Sequence, residues 1–254
     1  MFLETKHLTK QFGGLVAVNN VDFSIEKGKI NAIIGPNGAG KSTFFNIISG
    51  LHPSSSGQVI FKGKDITKLP SNKIAKLGVA RTFQTTHLFE QSTVLDNVIV
   101  GHRLRTKSNL LDAVLRTKRF WTEEQKCREK AIEVLDFVGL THAAHKMADS
   151  ITQEEKKRVA FALALATDPE VVFLDEPAAG INPDETEGLA LLMEKMVQKG
   201  ITVCLIEHKM QMIMKISDKI MVLNHGEKIA EGTPEEIMGN QTVIEAYLGG
   251  SVSA

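Results

Sequence analysis

A glycine-rich segment near the start of the chain carries the residue types that most clearly suggest chemistry. Residues 35–42 have the sequence Gly-Pro-Asn-Gly-Ala-Gly-Lys-Ser, which matches the pattern G-x-x-x-x-G-K-[ST] at every fixed position. Glycines allow backbone N–H groups to turn towards phosphate oxygens, and a following helix adds the positive end of its dipole. We expect Lys41 to meet the β- and γ-phosphates of a nucleotide and Ser42 to ligate Mg²⁺.

A second candidate group is a pair of carboxylates at the end of an apolar run. Residues 171–174 are Val-Val-Phe-Leu, and Asp175 and Glu176 follow them directly. A buried strand that ends in Asp175 would place a carboxylate beside the Mg²⁺ site, and Glu176 could polarise a water for attack on the γ-phosphate. Two carboxylates at a strand end also fit a solvated turn, but the phosphate-binding pattern upstream favours the catalytic interpretation.

Three isolated side chains gain meaning from these two motifs. Gln84 lies where strand character gives way to helices, and it could reach Mg²⁺ or the attacking water. His208 follows an apolar run at residues 201–206, and the carboxyl end of a parallel strand faces the ligand crevice. Phe12 lies in a loop next to Gly13 and could stack on adenine. Each of them, taken alone, is more often a surface or structural residue.

The elements that must position these residues follow from the apolar pattern. Continuous apolar runs are typical of buried parallel strands, and short runs bounded by turn residues are typical of strands and hairpins. The pattern predicts a hairpin or strand pair at residues 16–25, strands at 30–34, 58–61, 171–174 and 201–206, and a hairpin at 219–230. Thr233 and Pro234 open a terminal helix, with Thr233 as its N-cap.

The middle of the chain, residues 84–158, has helical periodicity instead. Apolar residues recur at spacings of three and four in two stretches, namely Leu110, Leu111, Val114 and Leu115, and Ala131, Val134, Leu135 and Val138. Between residues 103 and 130, nine Lys or Arg residues stand against four Asp or Glu residues. A solvated helical face is the favoured interpretation of this basic excess. Contact with an anionic membrane surface or with a partner is the alternative.

The composition excludes several classes of protein. The chain has 254 residues, 43% of them hydrophobic and 24% charged, which fits one large globular domain or a domain with a lobe. Thirty Lys and Arg residues balance thirty Asp and Glu residues, whereas a general nucleic-acid binder carries a basic excess. Cys127 and Cys204 lie far apart, which argues for a reducing compartment. Because no apolar run approaches the ~18 residues of a membrane span, we expect any span to belong to another chain.

The order of these motifs resembles that of the ATP-binding cassette (ABC) ATPases, and the resemblance covers nearly the whole chain. Residues 12–18, 81–84 and 175–183 are similar to the ATP-binding subunits of leucine, isoleucine and valine importers. The helical insertion near residues 107–120 and the ending at residues 245–249 also fit that group.

The resemblance implies an α/β fold of a particular kind. It consists of a P-loop NTPase (ABC ATPase) core with an N-terminal antiparallel β subdomain and an α-helical subdomain. We place the core at residues 1–84 and 158–254, and the helical subdomain at residues 85–157.

The resemblance also implies a role for each motif residue. The expected reaction is ATP hydrolysis coupled to uptake of branched-chain amino acids. Glu176 would act as the base, His208 would contact the γ-phosphate, and Gln84 would be a further catalytic residue. Mg²⁺ would be held by Ser42, Gln84 and Asp175. The residues expected to bind the nucleotide are Phe12, Val18, Gly35, Pro36, Asn37, Gly38, Ala39, Gly40, Lys41, Ser42, Thr43 and Asp175.

The partners are implied by the same resemblance. Two ATP-binding subunits pair head to tail, through the regions of Thr152 and Asn182 in this chain, and a heterodimer is expected in the cell. Transmembrane permease subunits and, indirectly, a periplasmic solute-binding protein complete the importer. No nucleic-acid partner is expected. The chain would lie at the cytoplasmic face of the inner membrane as a peripheral subunit.

One segment departs from the pattern of the resemblance. The slot that normally holds Leu-Ser-Gly-Gly-Gln holds Ile-Thr-Gln-Glu-Glu at residues 151–155. Thr152 keeps a hydroxyl, but Glu154 replaces a glycine that lets the backbone close on the γ-phosphate of the partner's site. We expect its carboxylate to add like-charge repulsion. Asn182 stands where the family pattern normally has Asp.

Three other functions share parts of this pattern. An exporter ATPase, for lipopolysaccharide for instance, would have the same catalytic motifs. A non-transport ABC protein of DNA repair or translation usually carries a long coiled-coil insertion or two cassettes in one chain, and neither is visible here. A module that binds nucleotide without hydrolysis would have a dispensable Glu176.

Overall fold

Two units make up the fold, and the computed structural model describes residues 2–82 and 88–249 of the chain. The first unit comprises Met1–Arg81 and Glu170–Ala254, and the second comprises Thr82–Pro169. The sequence-based boundary at residue 157 therefore differs from the boundary in the structure. The difference arises because the helix Gln153–Leu165 packs against the helices Val94–His102 and Lys118–Phe137 of the second unit.

The elements are numbered in chain order. The strands are β1 (Leu3–Phe12), β2 (Leu15–Ile25), β3 (Ile30–Ile34), β4 (Ser56–Phe61), β5 (Lys64–Asp65), β6 (Val79–Arg81), β7 (Val171–Asp175), β8 (Thr202–Ile206), β9 (Lys219–Asn224) and β10 (Glu227–Gly232). The helices are α1 (Lys41–Ile48), α2 (Ser71–Lys76), α3 (Val94–His102), α4 (Leu110–Val114), α5 (Lys118–Phe137), α6 (Gln153–Leu165), α7 (Pro183–Gln198), α8 (Met210–Ile216), α9 (Pro234–Met238) and α10 (Gln241–Gly249).

The first unit contains an antiparallel sheet with the strand order β2-β1-β4-β5. Strand β2 is a single strand whose hairpin partner is β1, so the segment at residues 16–25 does not fold into a hairpin by itself. Its apolar side chains alternate and bury one face, with Val21, Phe23 and Ile25 almost wholly covered. The predicted antiparallel subdomain is thereby present, with longer strands than the pattern suggested.

A second sheet carries the order β10-β9-β3-β8-β7-β6. Strands β9, β3, β8, β7 and β6 are parallel to their neighbours, and β10 returns antiparallel to β9. All residues of β3, β7 and β8 are buried, as continuous apolar runs predict. Because the carboxyl ends of parallel strands meet at one edge of a sheet, the loops after β3, β7, β8 and β9 come together there.

Helix α1 connects the two sheets through aromatic contacts. Phe44 packs edge-on against Phe23 of β2, with ring centroids 6.3 Å apart. Phe45 packs edge-on against Phe173 of β7, with centroids 5.2 Å apart. Such pairs contribute beyond their buried area. The helix that follows the phosphate-binding segment is therefore held by both sheets.

The second unit is built from α3 to α6. The apolar stripe predicted on α5 is buried, with Ala131, Val134 and Leu135 each at most 4% exposed. The stripe predicted on α4 is different, because Leu111 and Val114 are 69% and 71% exposed. The helix forms as the spacing predicts, but these side chains do not pack into the core.

The end of the chain follows its capping signal. Thr233 caps α9 through a hydrogen bond from the Glu236 N–H, and the Glu236 carboxylate accepts the Thr233 N–H in return. Helix α9 ends at Met238, and α10 follows it as a separate helix. No helix in the described part of the chain is long and apolar enough to cross a bilayer.

We predict that Asn31→Val lowers the free energy of unfolding by about 1–3 kcal/mol, because the substitution leaves buried backbone groups without partners. Asn31 is fully buried in β3, accepts the Glu26 N–H at 3.0 Å and donates to the Val203 carbonyl at 3.3 Å. Urea unfolding measures the effect. The control is Asn72→Ala on the exposed face of α2, with a change within about 0.5 kcal/mol. Equal unfolding free energies for wild type and Asn31→Val would contradict the prediction.

Candidate functional site

A cleft of about 480 Å³ lies at the carboxyl edge of the parallel sheet. Its floor is formed by residues 37–43, the end of the phosphate-binding segment and the first residues of α1. The start of β2 and the turn between β9 and β10 form its walls, and Glu176 and His208 also line it. The structure therefore brings together the phosphate-binding segment and the two candidate catalytic residues in one unit.

The phosphate-binding segment passes so close to its neighbours that two positions accept only glycine. Gly35 has a φ of +149°, and a Cβ there would lie 2.0 Å from the Leu223 carbonyl oxygen. Gly40, at the N-cap of α1, has a φ of +96°, and a Cβ there would lie 2.2 Å from the Ala17 carbonyl oxygen. These two contacts attach the segment to β9 and β2, and they aim the N-terminus of α1 at the cleft.

Lys41 is held inside the segment by its own backbone. Its side chain is buried, and its Nζ donates to the carbonyl oxygens of Gly35 and Pro36, each at 2.8 Å. Burial lowers the pKa of Lys41, while the negative charges of Glu176 and Asp175 oppose this shift. The ammonium is therefore placed among anionic neighbours, where phosphate oxygens could replace the two carbonyls.

The donor set at the cleft fits Mg²⁺. Ser42 lines the cleft, and Asp175 is the last residue of β7, directly before Glu176, which also lines the cleft. The Ser42 hydroxyl and the Asp175 carboxylate are oxygen donors of the kind that this cation prefers. Among the described residues no cluster of three or more His, Cys, Asp or Glu side chains could hold a metal ion alone. A cation here would share its coordination with phosphate oxygens and water, as Mg²⁺ usually does.

Asp175 is paired with a cation, Arg81, for which the sequence predicted no role in the site. Arg81 donates from Nη2 to Asp175 Oδ2 at 2.8 Å, and both side chains are almost fully buried. Arg81 also donates to the Ser49 hydroxyl at 2.8 Å. Burial lowers the pKa of Arg81, and the bond to Asp175 opposes the shift. Nothing in the local sequence signals this contact, since 94 residues separate the partners.

Glu176 and His208 form a direct pair. Strands β7 and β8 align Asp175 with Ile206, so the residues that follow these strands emerge side by side. Glu176 donates its N–H to the Ile206 carbonyl at 2.9 Å, and its Oε1 lies 3.0 Å from His208 Nε2. Glu176 has a φ of 47°, a left-handed conformation that is uncommon outside glycine and often found at functional sites. The pair faces the phosphate-binding segment across the cleft.

The residues on either side of His208 hold its loop in place. Glu207 is buried, and its carboxylate accepts the N–H groups of Ala178 at 2.7 Å and of His208 at 2.8 Å. Lys209 Nζ donates to the Ile181 carbonyl at 2.9 Å and the Thr186 hydroxyl at 2.7 Å. Neither role could be predicted from the sequence, because charged residues beside a histidine carry no signal of burial.

Several expected nucleotide contacts lie elsewhere. Phe12 is 44% exposed and does not line the cleft; its ring packs edge-on against His52, with centroids 6.0 Å apart. Val18 is fully buried in the core, so its side chain faces away from the cleft. Residues 15–17 line the cleft instead, together with the turn at His225 and Gly226.

Two other expectations concern Gln84 and Asn182. Gln84, expected at Mg²⁺ and in catalysis, lies outside the described residues. Asn182 caps α7 by accepting the Glu185 N–H at 2.9 Å, a role that Asn and Asp perform equally well.

Residues 151–155, the segment that departs from the family signature, lie at the start of α6 in the second unit. Thr152 caps this helix by accepting the Glu155 N–H at 3.1 Å, and the Glu155 carboxylate accepts the Thr152 N–H at 2.8 Å. Glu154 forms an ion pair with Arg158 one turn along the helix. The expected repulsion from Glu154 is therefore reduced, because an adjacent guanidinium compensates its charge.

The sequence matches two family profiles and is similar to individual named proteins. A family profile described as "ABC transporter" matches residues 18–179, and one described as "Branched-chain amino acid ATP-binding cassette transporter" matches residues 227–253. The chain is 42% identical over 248 residues to the high-affinity branched-chain amino acid transport ATP-binding protein BraF of Pseudomonas aeruginosa, with 97% of each chain covered. It is 40% identical over 248 residues, with the same coverage, to the protein LivG of Escherichia coli, which has the same description.

Two solved structures share the fold. A nucleotide-free ATP-binding cassette from an ABC transporter has a TM-score of 0.86 and 32% identity, covering 97% of this chain and 98% of that one. An ATP-binding cassette in its ADP conformation has a TM-score of 0.86 and 33% identity, covering 98% of both chains. These similarities confirm the predicted α/β fold class.

We predict that Arg81→Ala lowers the free energy of unfolding by about 3–5 kcal/mol, because it leaves the buried carboxylate of Asp175 without its counter-charge. The matched control is Lys62→Ala, which removes the half-exposed partner of Glu170 in the same unit. An exposed pair contributes about 1 kcal/mol or less. Urea unfolding of both variants measures the difference, and equal losses in the two variants would contradict the prediction.

Proposed function

This chain belongs to the ABC transporter family, and from that premise we propose that it is the ATP-hydrolysing subunit of an importer of branched-chain amino acids. The observation that carries the proposal is the 42% identity to BraF over 97% of both chains, since that protein is named for this transport. The family match at residues 227–253 supports the same cargo. An exporter and a non-transport ABC ATPase are not favoured, because both relatives are named for branched-chain amino acid transport.

Hydrolysis in the proposed reaction is an in-line attack of water on the γ-phosphate of ATP. Glu176 takes a proton from the attacking water as general base. His208 Nε2 is 3.0 Å from the Glu176 carboxylate and orients it, and His208 contacts the γ-phosphate in the proposed reaction. Both residues are fixed by β7 and β8, so the base is positioned before the nucleotide binds.

The phosphate-binding segment neutralises charge in the same reaction. Lys41 exchanges its bonds to the Gly35 and Pro36 carbonyls for bonds to the β- and γ-phosphate oxygens. Bound Mg²⁺ would supply further charge neutralisation on these oxygens. Ser42 and Asp175 are the described residues that would hold it, and Gln84 remains an expected third ligand. Phe12 remains our candidate for stacking on adenine, although it does not line the cleft in this structure.

The proposed assembly is a pair of ATP-binding subunits on two permease subunits at the cytoplasmic face of the inner membrane. A periplasmic solute-binding protein would deliver the cargo to the permeases. We propose a heterodimer, because the segment at residues 151–155 departs from the family signature and a second subunit could supply an intact one. The regions of Thr152 and Asn182 are the surfaces we expect to face that subunit.

Transport measurements test the proposed function. The complex is purified from its native membrane with its permeases and reconstituted into proteoliposomes with the solute-binding protein. We expect ATP-dependent uptake of leucine, isoleucine and valine, and no uptake of lysine. Uptake of a different class of solute, or purification with DNA or ribosomes in place of membrane subunits, would show that the cargo assignment is wrong.

We predict that Glu176→Gln lowers ATP turnover by at least ~10²-fold while nucleotide affinity is kept, because the change removes the base but little volume. Lys41→Ala weakens nucleotide affinity itself, because it removes a charge from the phosphate site. Phosphate release and equilibrium binding measure the two quantities separately. The matched control is Glu187→Gln on α7, an exposed carboxylate paired with Lys215, which should change neither. Wild-type turnover in Glu176→Gln would show that Glu176 is not the base.

We also predict slow hydrolysis by the isolated chain, and a rise of about tenfold in turnover for Thr152→Ser with Glu154→Gly. A tenfold rise corresponds to about 1.4 kcal/mol of transition-state free energy. Because Arg158 compensates the charge of Glu154, the gain comes from restoring a small residue where the backbone approaches the γ-phosphate. The control is Glu133→Gly on α5, which removes a mostly exposed carboxylate in the same unit. Brisk hydrolysis by the unmodified chain, with no gain on repair, would show that residues 151–155 work as they are.

A further inference from the structure

The corner between α4 and α5 exposes an unusual concentration of large apolar side chains. Leu111, Val114 and Leu115 are 69%, 71% and 73% exposed, and Trp121 is 55% exposed. Helix α5 shows that the same unit can bury an apolar stripe of equal spacing, since Val134 is 4% exposed. Contiguous exposed apolar residues on a soluble domain usually mark an interaction surface. We call these four residues, with Arg116 and Lys118, the α4–α5 patch.

The basic side chains of the patch are exposed, whereas the carboxylates near it accept hydrogen bonds within the corner. Arg116, at the turn between the helices with a φ of 47°, and Lys118, at the start of α5, are both exposed, and no ion pair engages them among the described residues. The carboxylates near them accept hydrogen bonds from backbone N–H groups of the corner. Asp112 closes a capping box with Asn109, accepting its N–H at 3.1 Å.

The Glu123 carboxylate also accepts hydrogen bonds within the corner. It accepts the N–H groups of Lys107 and Ser108, and it lies 3.5 Å from Arg119. These bonds hold the pKa of Glu123 at about 2, mainly through Ser108, so this carboxylate stays ionised and bound within the corner. The corner therefore presents apolar and positive groups outward while its negative groups are occupied.

We propose that the α4–α5 patch binds the anionic headgroup layer of a lipid bilayer. Interleaved Leu, Val and Trp with Arg and Lys are the side chains that segments lying in the membrane interface use. The apolar side chains enter the boundary between headgroups and acyl chains, and Arg116 and Lys118 contact lipid phosphates. The positive charge is complementary to anionic lipids, which is why lipid is favoured over a neutral apolar partner. Helix α4 has five residues, so it lies on the bilayer and cannot span it.

The chain carries its own probe of this contact. Trp121 is its single tryptophan, so its fluorescence reports on the patch alone. The purified full chain is mixed with vesicles of phosphatidylcholine alone and with vesicles that also contain phosphatidylglycerol. We expect the Trp121 emission to shift to shorter wavelength, and to be protected from acrylamide, only with the anionic vesicles. The shift should weaken as salt is raised.

Two variants separate the apolar and the electrostatic contributions. Arg116→Gln with Lys118→Gln should weaken binding roughly 25-fold, since each basic side chain contributes about fivefold. Leu111→Ser with Leu115→Ser should weaken it at least tenfold, by loss of apolar burial. The matched control is Lys64→Gln with Lys73→Gln, which removes the same charge from exposed positions in the other unit and should bind as wild type does. Unchanged ATP turnover in all three variants verifies folding.

Each remaining outcome overturns the proposal. Equal loss of binding in the Lys64 and Lys73 control would reduce the effect to net charge. A Trp121 shift that depends on protein concentration without vesicles would identify a second copy of the chain as the occupant. No Trp121 shift with the anionic lipid vesicles would show that the patch does not bind lipid, and a shift seen only in separate proteoliposomes that contain the permeases would identify a protein partner. Because the lipid vesicles contain neither permease nor cargo, the result is independent of the proposed transport function.

Discussion

The site depends on the close approach of the phosphate-binding segment to its neighbours. Gly35 lies against the Leu223 carbonyl and Gly40 against the Ala17 carbonyl, at separations that leave no room for a Cβ. These contacts fix the segment between β9 and β2. They also explain why the walls of the cleft come from the start of β2 and the turn after β9, which are distant in sequence from the motif that forms its floor.

Buried charge imposes a second constraint on the same region. Lys41, Asp175 and Glu207 are all almost inaccessible to solvent. Each is compensated by a specific partner: backbone carbonyls for Lys41, Arg81 for Asp175, and backbone N–H groups for Glu207. A buried charge without such a partner is strongly unfavourable. These partners hold the three charged groups in fixed positions within or directly beside the residues that line the cleft.

Glu176 shows what this rigidity makes possible. Its left-handed backbone costs about 1–3 kcal/mol in an ordinary chain. The bond to the Ile206 carbonyl and the contact with His208 hold it in place. A flexible loop would relax to a favoured conformation and turn the carboxylate away. The two parallel strands and the Glu207 bonds behind His208 therefore keep the pair directed at the phosphate-binding segment.

The local signals in the sequence were sufficient to predict much of this protein. The phosphate-binding pattern, the apolar runs of β3, β7 and β8, and the cap at Thr233 depend on residues close in sequence, so they could be read directly. The pairing of Glu154 with Arg158 was also accessible, since it spans four residues of one helix. The resemblance to the ABC ATPases rested on such local motifs and gave the fold class correctly.

Only the tertiary structure decided which side chains meet. The pairing of Arg81 with Asp175 and the role of the β9–β10 turn depend on strands that are distant in sequence. The burial of Val18 and the exposure of the α4 stripe follow from whether another element covers that face. Periodicity reports which residues share a face, but not whether a partner packs against it. Burial is set by the packing of whole elements, and that information is distributed over the entire chain.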